Sequence, residues 1–375
     1  MTDETLPPPV WVDGRQSLQH MLGDLNAQDA IAVDTESNSL HAYRERVCLM
    51  QFSTPQTDYL VDPFTIRDLS ELGPLFANPA IQKIFHASEY DLICLKRDFG
   101  FECVNLFDTM QAARILGYQY VGLDNILFET FEIKIDKRYQ KADWGKRPLT
   151  PEQIDYARQD THYLFRLRAL LESQLREADR WELAQDDFAL ACKVDVQKER
   201  GRGSSMRRFS TRKDVSPREL TILQELCQAR DQIAERLDRP TFKVITDDML
   251  LAIARNLPED RAALAELGLS TKQVRLWADM LLAAVKRGED APLLEKQVVH
   301  RPSDTVLRRL DKLKAWRKEL AQKLEVESDI VLPKRYLAPL AENPPHTLAE
   351  LETVMTDSPW RLKNYGTQIL SLVGG

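Results

Sequence analysis

The chain has 375 residues, a formal net charge of −7 and 43% hydrophobic residues, enough for two or three domains with ordinary cores. No apolar run approaches a membrane span, and the start Met1-Thr2-Asp3-Glu4 lacks the charged-plus-apolar pattern of a secretory signal. The five cysteines (Cys48, Cys94, Cys103, Cys192 and Cys227) are scattered without a C-x-x-C pair, which argues for reduced thiols in the cytosol and against zinc.

Residues 1–9 are polar and Pro-rich and read as a frayed end. From about 10 to 180 the pattern is mixed α/β. Strands are expected at Ala30–Asp34, Val47–Phe52, Tyr59–Val61, Gln82–Phe85 and Val104–Asp108. Helices are expected at Ile66–Phe76, Tyr90–Phe99, Thr109–Leu116, Leu123–Phe131 and Pro151–Ala178. Thr54-Pro55-Gln56 between two strands suggests an antiparallel turn. The last helix has a clear start, because Thr150-Pro151-Glu152-Gln153 is a capping box with Pro in the first helical position.

Three groups of side chains stand out along this half. Asp34 and Glu36 are two apart on a strand and therefore share a face. Burying both carboxylates is costly unless a cation lies between them. Asp91 opens a helix directly after a strand, in His86-Ala87-Ser88-Glu89-Tyr90-Asp91. Tyr156 and Asp160 are four apart on one helix face. A second Tyr-x-x-x-Asp, Tyr139 to Asp143, lacks any surrounding helical pattern and is set aside. Asn38, Leu40, His41, Gln51, Phe52 and Trp144 lie close by and could line a pocket beside these groups or be ordinary packing.

Charge is unevenly distributed. Lys134, Lys137, Arg138, Lys141, Lys146 and Arg147 cluster before the Tyr156 helix. Lys198, Arg200, Arg202, Arg207, Arg208, Arg212 and Lys213 form a second cluster. Such patches can steer a polyanion onto one face of an acidic protein, although a solvated charge run has the same composition.

Gly201-Arg202-Gly203-Ser204-Ser205 marks a linker, and the remainder reads as all-helical. It contains a repeat with an offset of about 87 residues. Leu223, Leu226, Arg230, Ala234 and Leu237 fall on Leu310, Leu313, Arg317, Ala321 and Leu324. Asn256 and Pro258 fall on Asn343 and Pro345. The expected organisation is a catalytic domain over residues 10–195, a basic linker over 196–214, and helical copies over 215–295 and 300–375.

The set Asp34, Glu36, Asp91, Tyr156 and Asp160, in this order and on these elements, resembles the DEDD family of 3′→5′ exonucleases, tyrosine subclass. The helical copies are similar to HRDC domains, on Leu226-Cys227-Gln228-Ala229-Arg230-Asp231 and Lys314-Ala315-Trp316-Arg317-Lys318. Ala229 replaces the tryptophan of the usual Trp-Arg pair in the first copy. With Ala142-Asp143-Trp144-Gly145-Lys146-Arg147-Pro148-Leu149 before the catalytic helix, nearly the whole chain resembles the ribonuclease D family.

The resemblance implies an α/β ribonuclease H-like domain, with a mixed sheet flanked by helices, followed by two all-α HRDC-like domains. It also implies two divalent cations, Mg²⁺ or Mn²⁺. Asp34 would bridge both, Glu36 and Asp160 would hold the one carrying the attacking water, and Asp91 would support the other. Tyr156 would orient that water, since a phenol with a pKa of about 10 stays protonated at neutral pH. The implied reaction is 3′→5′ trimming of transfer RNA precursors and other structured RNA, releasing 5′-mononucleotides in the cytoplasm with no obligate protein partner. The alternatives are a DNA repair-type exonuclease and a non-catalytic RNA-binding scaffold.

Overall fold

The computed structural model describes residues 6–196, 204–295 and 301–374. By contacts the chain divides into two compact units. The first holds residues up to Ser37, Val47–Val196 and Pro302–Gly375; the second holds Asn38–Arg46 and Gln197–Arg301.

The first unit is built on a six-stranded sheet of order β1-β4-β3-β2-β5-β6. The strands are β1 (Val10–Val12), β2 (Ala30–Ser37), β3 (Val47–Ser53), β4 (Asp58–Val61), β5 (Gln82–Phe85) and β6 (Leu106–Asp108). β2, β3 and β4 form the expected antiparallel meander, while β1 joins β4 in parallel and β5 and β6 extend the other side in parallel. Alternation along β3 sorts its side chains. Met50 and Phe52 enter the large core with Val33, Phe76 and Phe107, and Leu49 faces a smaller cluster with Trp144, Tyr156 and Ala157.

Local chemistry explains where the elements depart from expectation. The helix expected over Ile66–Phe76 is only a 3₁₀ turn, Ser70–Leu72, and a short helix, Gly73–Phe76. Pro74 cannot donate within a helix and restarts the chain at its first turn. β6 begins at Leu106 because Asn105 takes a left-handed conformation, φ 52°. The expected helix Pro151–Ala178 is two helices, Pro151–His162 and Leu164–Glu177. Their apolar stripes face different surfaces: Tyr156 and Ala157 cover the small cluster, whereas Leu164, Leu167, Leu171 and Leu175 enter the large core. β1 and the helix Arg15–Leu25 were not foreseen. Nor was the tether on Leu6 and Pro7, whose carbonyls accept hydrogen bonds from Arg158 where a frayed end was expected.

The second helical copy lies in the same unit as the sheet. Its main helices are Asp304–Leu324, Lys334–Glu342 and Pro359–Val373. In the second unit, Pro217–Leu237, Asp247–Asn256 and Thr271–Asp290 surround one apolar core. Ser216 and Ser270 form the capping boxes their sequences promise. A helix, Ser204–Thr211, occupies part of the segment read as linker.

Candidate active site

β2 carries Asp34 and Glu36 on one face, and the Pro151–His162 helix packs across β2, β3 and β4 on that side. The helix start is secured by Thr150, whose hydroxyl accepts from the Gln153 amide while the Gln153 side chain accepts from the Thr150 amide. Near the other end of the helix, Ser53 on β3 donates to Asp58 and meets the Thr161 hydroxyl at 2.7 Å, tying the helix to the sheet. This places Asp160 over β2. Asp34, Glu36 and Asp160 bring one carboxylate oxygen each to within 4.8 Å of one another.

Asp91 sits in the first turn of the helix Glu89–Phe99 and is 5% exposed. Its Oδ1 accepts from the Thr35 hydroxyl, on the β2 residue between Asp34 and Glu36. It lies outside the three-carboxylate group, yet it is the neighbouring charge that most perturbs Asp34. Asp108 holds this helix start, accepting from the amides of Ala87 and Ser88 and from the Ser88 hydroxyl. Tyr156 is 9% exposed between Trp144 and Tyr139, with ring centroids at 6.0 and 6.4 Å. The sequence-predicted residues therefore converge, and Thr35 and Asp108 are supports that sequence reasoning missed. Thr35 carries no pattern of its own, because it acts through a long-range contact. Asp108 is the N-cap of the Thr109–Leu116 helix, accepting from the Met110 and Gln111 amides, but its hold on Ala87 and Ser88 is long-range.

The electrostatics are those of a crowded anionic cleft. Burial, then Asp91, Asp160 and Glu36, holds the Asp34 carboxyl well above the usual carboxylate range. Glu36 is raised by burial, then by Asp160 and Asp91. Asp160 is pushed up to about 8 by burial, against the hydrogen bond from Tyr156 and with the help of Asp91. Asp91 is pushed up to about 7 by burial, partly offset by Thr35. The Tyr156 phenol is raised by burial and by Asp160, Glu36 and Asp34, so it keeps its proton at neutral pH. Four acidic side chains held together against their own repulsion suit hard divalent cations, which take oxygen ligands.

Several candidates prove structural. Arg147 spends its guanidinium on both oxygens of Asp62 and on the carbonyls of Cys48, Trp144 and Lys146. Lys137 and Arg138 pair with Asp124 and Asp136, and the Arg138 side chain keeps 79% exposure. In the second basic cluster Arg208 and Arg212 pair with Asp247 and Asp214, while Lys198, Arg200 and Arg202 lie outside the described residues. Phe52 points into the core, and the Asn38 side chain accepts from the Arg46 amide to shape its own loop. His86 faces the Thr109 hydroxyl at 2.9 Å. The rejected Tyr139 and Asp143 lie on a 3₁₀ turn and the loop after it.

Comparison with known proteins gives a consistent picture. Residues 9–176 match the 3′-5′ exonuclease family, and residues 219–285 and 306–373 each match the HRDC domain. The chain is 33% identical to the exosome complex exonuclease RRP6 of Saccharomyces cerevisiae over 74% of its own length and 40% of that protein. It spans 29% to 41% of the length of the exosome-type relatives it matches. It is 27% identical to ribonuclease D of Pseudomonas paraeruginosa, covering 98% of each chain. In fold it is similar to Escherichia coli RNase D, an exoribonuclease involved in structured RNA processing. The TM-score is 0.74 at 24% identity, covering 98% of this chain and 99% of that one.

Proposed function

From a chain that belongs to the 3′-5′ exonucleases and carries two HRDC domains, we infer an exoribonuclease that removes nucleotides from RNA 3′ ends. The observation that carries this reading is the convergence of Asp34, Glu36 and Asp160 beneath a buried Tyr156. Asp34 would hold two divalent cations, Mg²⁺ or Mn²⁺, with Glu36 and Asp160 on one and Asp91 serving the other. Bound there, the cations would supply charge neutralisation on the phosphoryl oxygens, an activated water and stabilisation of the leaving 3′-oxygen.

The chain's own residues do the rest. Tyr156 keeps its proton, so its hydroxyl orients the attacking water instead of removing a proton from it. Thr35 holds the Asp91 carboxyl through its hydroxyl, and Asp108 secures the start of the Asp91 helix. Arg138 is paired with Asp136 but keeps 79% exposure beside Tyr139 and Tyr156, and would meet the RNA backbone from there. The substrates are transfer RNA precursors and other structured RNA. The products are 5′-mononucleotides, the compartment is the cytoplasm, and no obligate protein partner is required. Support for this comes from the ribonuclease D relative that matches over 98% of the chain.

The test is a time course on a 5′-labelled precursor transfer RNA with a 3′ extension, in Mg²⁺ and in EDTA, beside matched DNA. Metal-dependent shortening of the RNA from its 3′ end is expected. Equal trimming of DNA would replace RNA processing with a repair-type activity. Binding without shortening would leave an RNA-binding scaffold.

A further inference from the structure

Gln51 is fully buried, yet neither its amide nitrogen nor its amide oxygen has a hydrogen-bond partner. Leaving such a group unpaired carries its full desolvation penalty, and an apolar side chain would fill the space without it. Among the described residues the indole Nε1 of Trp144, in the cluster beside Tyr156, is also buried without a partner, whereas two guanidinium atoms are easier to account for. The unpaired Nε atoms of Arg230 and Arg309 belong to guanidiniums engaged elsewhere, Arg230 through both Nη1 and Nη2 and Arg309 through Nη1.

The position of Gln51 gives it a use. It lies directly opposite Asp34 in the β2–β3 ladder. Directly opposed residues on paired strands project to the same face. That face is the one covered by the Tyr156 helix, as its neighbours two residues away confirm: Leu49 packs with Tyr156 and Ala157, and Ser53 meets Thr161. A primary amide offers both a donor and an acceptor. A carboxylate ligand needs a donor to hold it, and the waters retained by a Mg²⁺-like ion need acceptors.

We propose that Gln51 is a positioning residue of the divalent-cation site, its amide taking the Asp34 carboxylate and a cation-bound water as partners when the ion is seated. The inference rests on the cation-dependent reading of the site. It accounts for an unsatisfied amide being kept against the central carboxylate: the polar group is matched to the loaded state and mismatched to the empty one. It also separates Gln51 from packing residues, because a packing residue supports the protein with or without the ion.

The experiment uses the full chain and two readouts other than activity: Mn²⁺ affinity, from the electron paramagnetic resonance signal of free Mn²⁺, and the unfolding midpoint in EDTA. Gln51→Met and Gln51→Leu, both near the size of glutamine, are compared with the parent and with Asp34→Asn. Both Gln51 variants should unfold in EDTA at or above the parent's midpoint, while Mn²⁺ binding weakens about 10- to 100-fold. A lower midpoint in EDTA with Mn²⁺ affinity within twofold of the parent would overturn the proposal and make Gln51 a packing residue. Unchanged Mn²⁺ binding in Asp34→Asn would overturn the cation site itself. Weakened binding in Asp34→Asn beside unchanged binding in the Gln51 variants would overturn only the role of Gln51.

Discussion

The Arg361 guanidinium is fully buried against the Asp187 carboxylate, with Nη1 to Oδ1 at 2.6 Å and Nη2 to Oδ2 at 2.9 Å. Nε and Nη2 also reach the Ile330 carbonyl at 3.1 and 2.8 Å, and Nη1 the Ser358 hydroxyl at 3.4 Å. Asp187 belongs to the helix Trp181–Ala191 and Arg361 to the last helix of the second repeat, so this pair joins that repeat to the exonuclease fold. Breaking one side leaves a buried charge without its partner. Arg361→Met should therefore cost about 3–5 kcal/mol in denaturant unfolding, and Arg361→Met with Asp187→Leu should recover a large part of it. An Arg361→Met loss below 1 kcal/mol would show the pair to be incidental.

Removing the charge of the central ligand tests the chemistry. Asp34→Asn should abolish hydrolysis at any Mg²⁺ or Mn²⁺ concentration. Tyr156→Phe should lower turnover about 100-fold while Mn²⁺ binding stays near that of the parent, because only water orientation is lost. Hydrolysis by Asp34→Asn at the parent's rate would remove this cluster from the reaction.

The cleft predicts a pH dependence. Asp91 and Asp160, at about 7 and about 8 in the folded protein, hold protons there that the unfolded chain releases above about pH 4. The folded state thus binds more protons across that window, and cation-free stability contributed by these groups falls as pH rises through it. A cation must displace the same protons, so Mn²⁺ affinity should rise between about pH 6 and pH 9. Mn²⁺ titrations at several pH values, beside unfolding midpoints in EDTA, read both trends. A flat affinity profile would show the carboxyls already ionised.

In the second unit, Gly288 marks the closest approach of two helices. A Cβ there would lie 2.5 Å from the Ile222 Cα, a backbone atom with no room to yield. Gly288→Ala should cost about 1–3 kcal/mol despite its better helix propensity. Equal or greater stability in urea unfolding would mean that the helix pair separates without penalty.

The repeat shows how far pattern alone carries. Its matched apolar positions promised a shared core, and its matched arginines something more. Arg230 donates to the Ile245 carbonyl at 3.1 Å, and Arg317 donates to Leu332 at 3.0 Å, one repeat further on. The arginines thus serve the fold of each copy. Where the copies differ, pattern was silent. Val274 of the first copy stands where the second has Arg361, and only its partner Asp187, 174 residues away, shows why. The break at His162 and Tyr163 was equally hidden, since both helices are apolar on one side and only the surfaces they cover tell them apart.

The sequence by itself determined the strand that pairs Asp34 with Glu36, the capped helix that aligns Tyr156 with Asp160, and the two helical copies. Each rests on short-range periodicity or capping, which neighbouring residues specify. Tertiary structure alone decided that Asp91 is held by Thr35 and its helix start by Asp108, that Arg147 is spent on Asp62, and that Gln51 is buried unpaired opposite Asp34. Those facts depend on strand register and on helices meeting across the sheet, contacts between distant residues that no local pattern encodes.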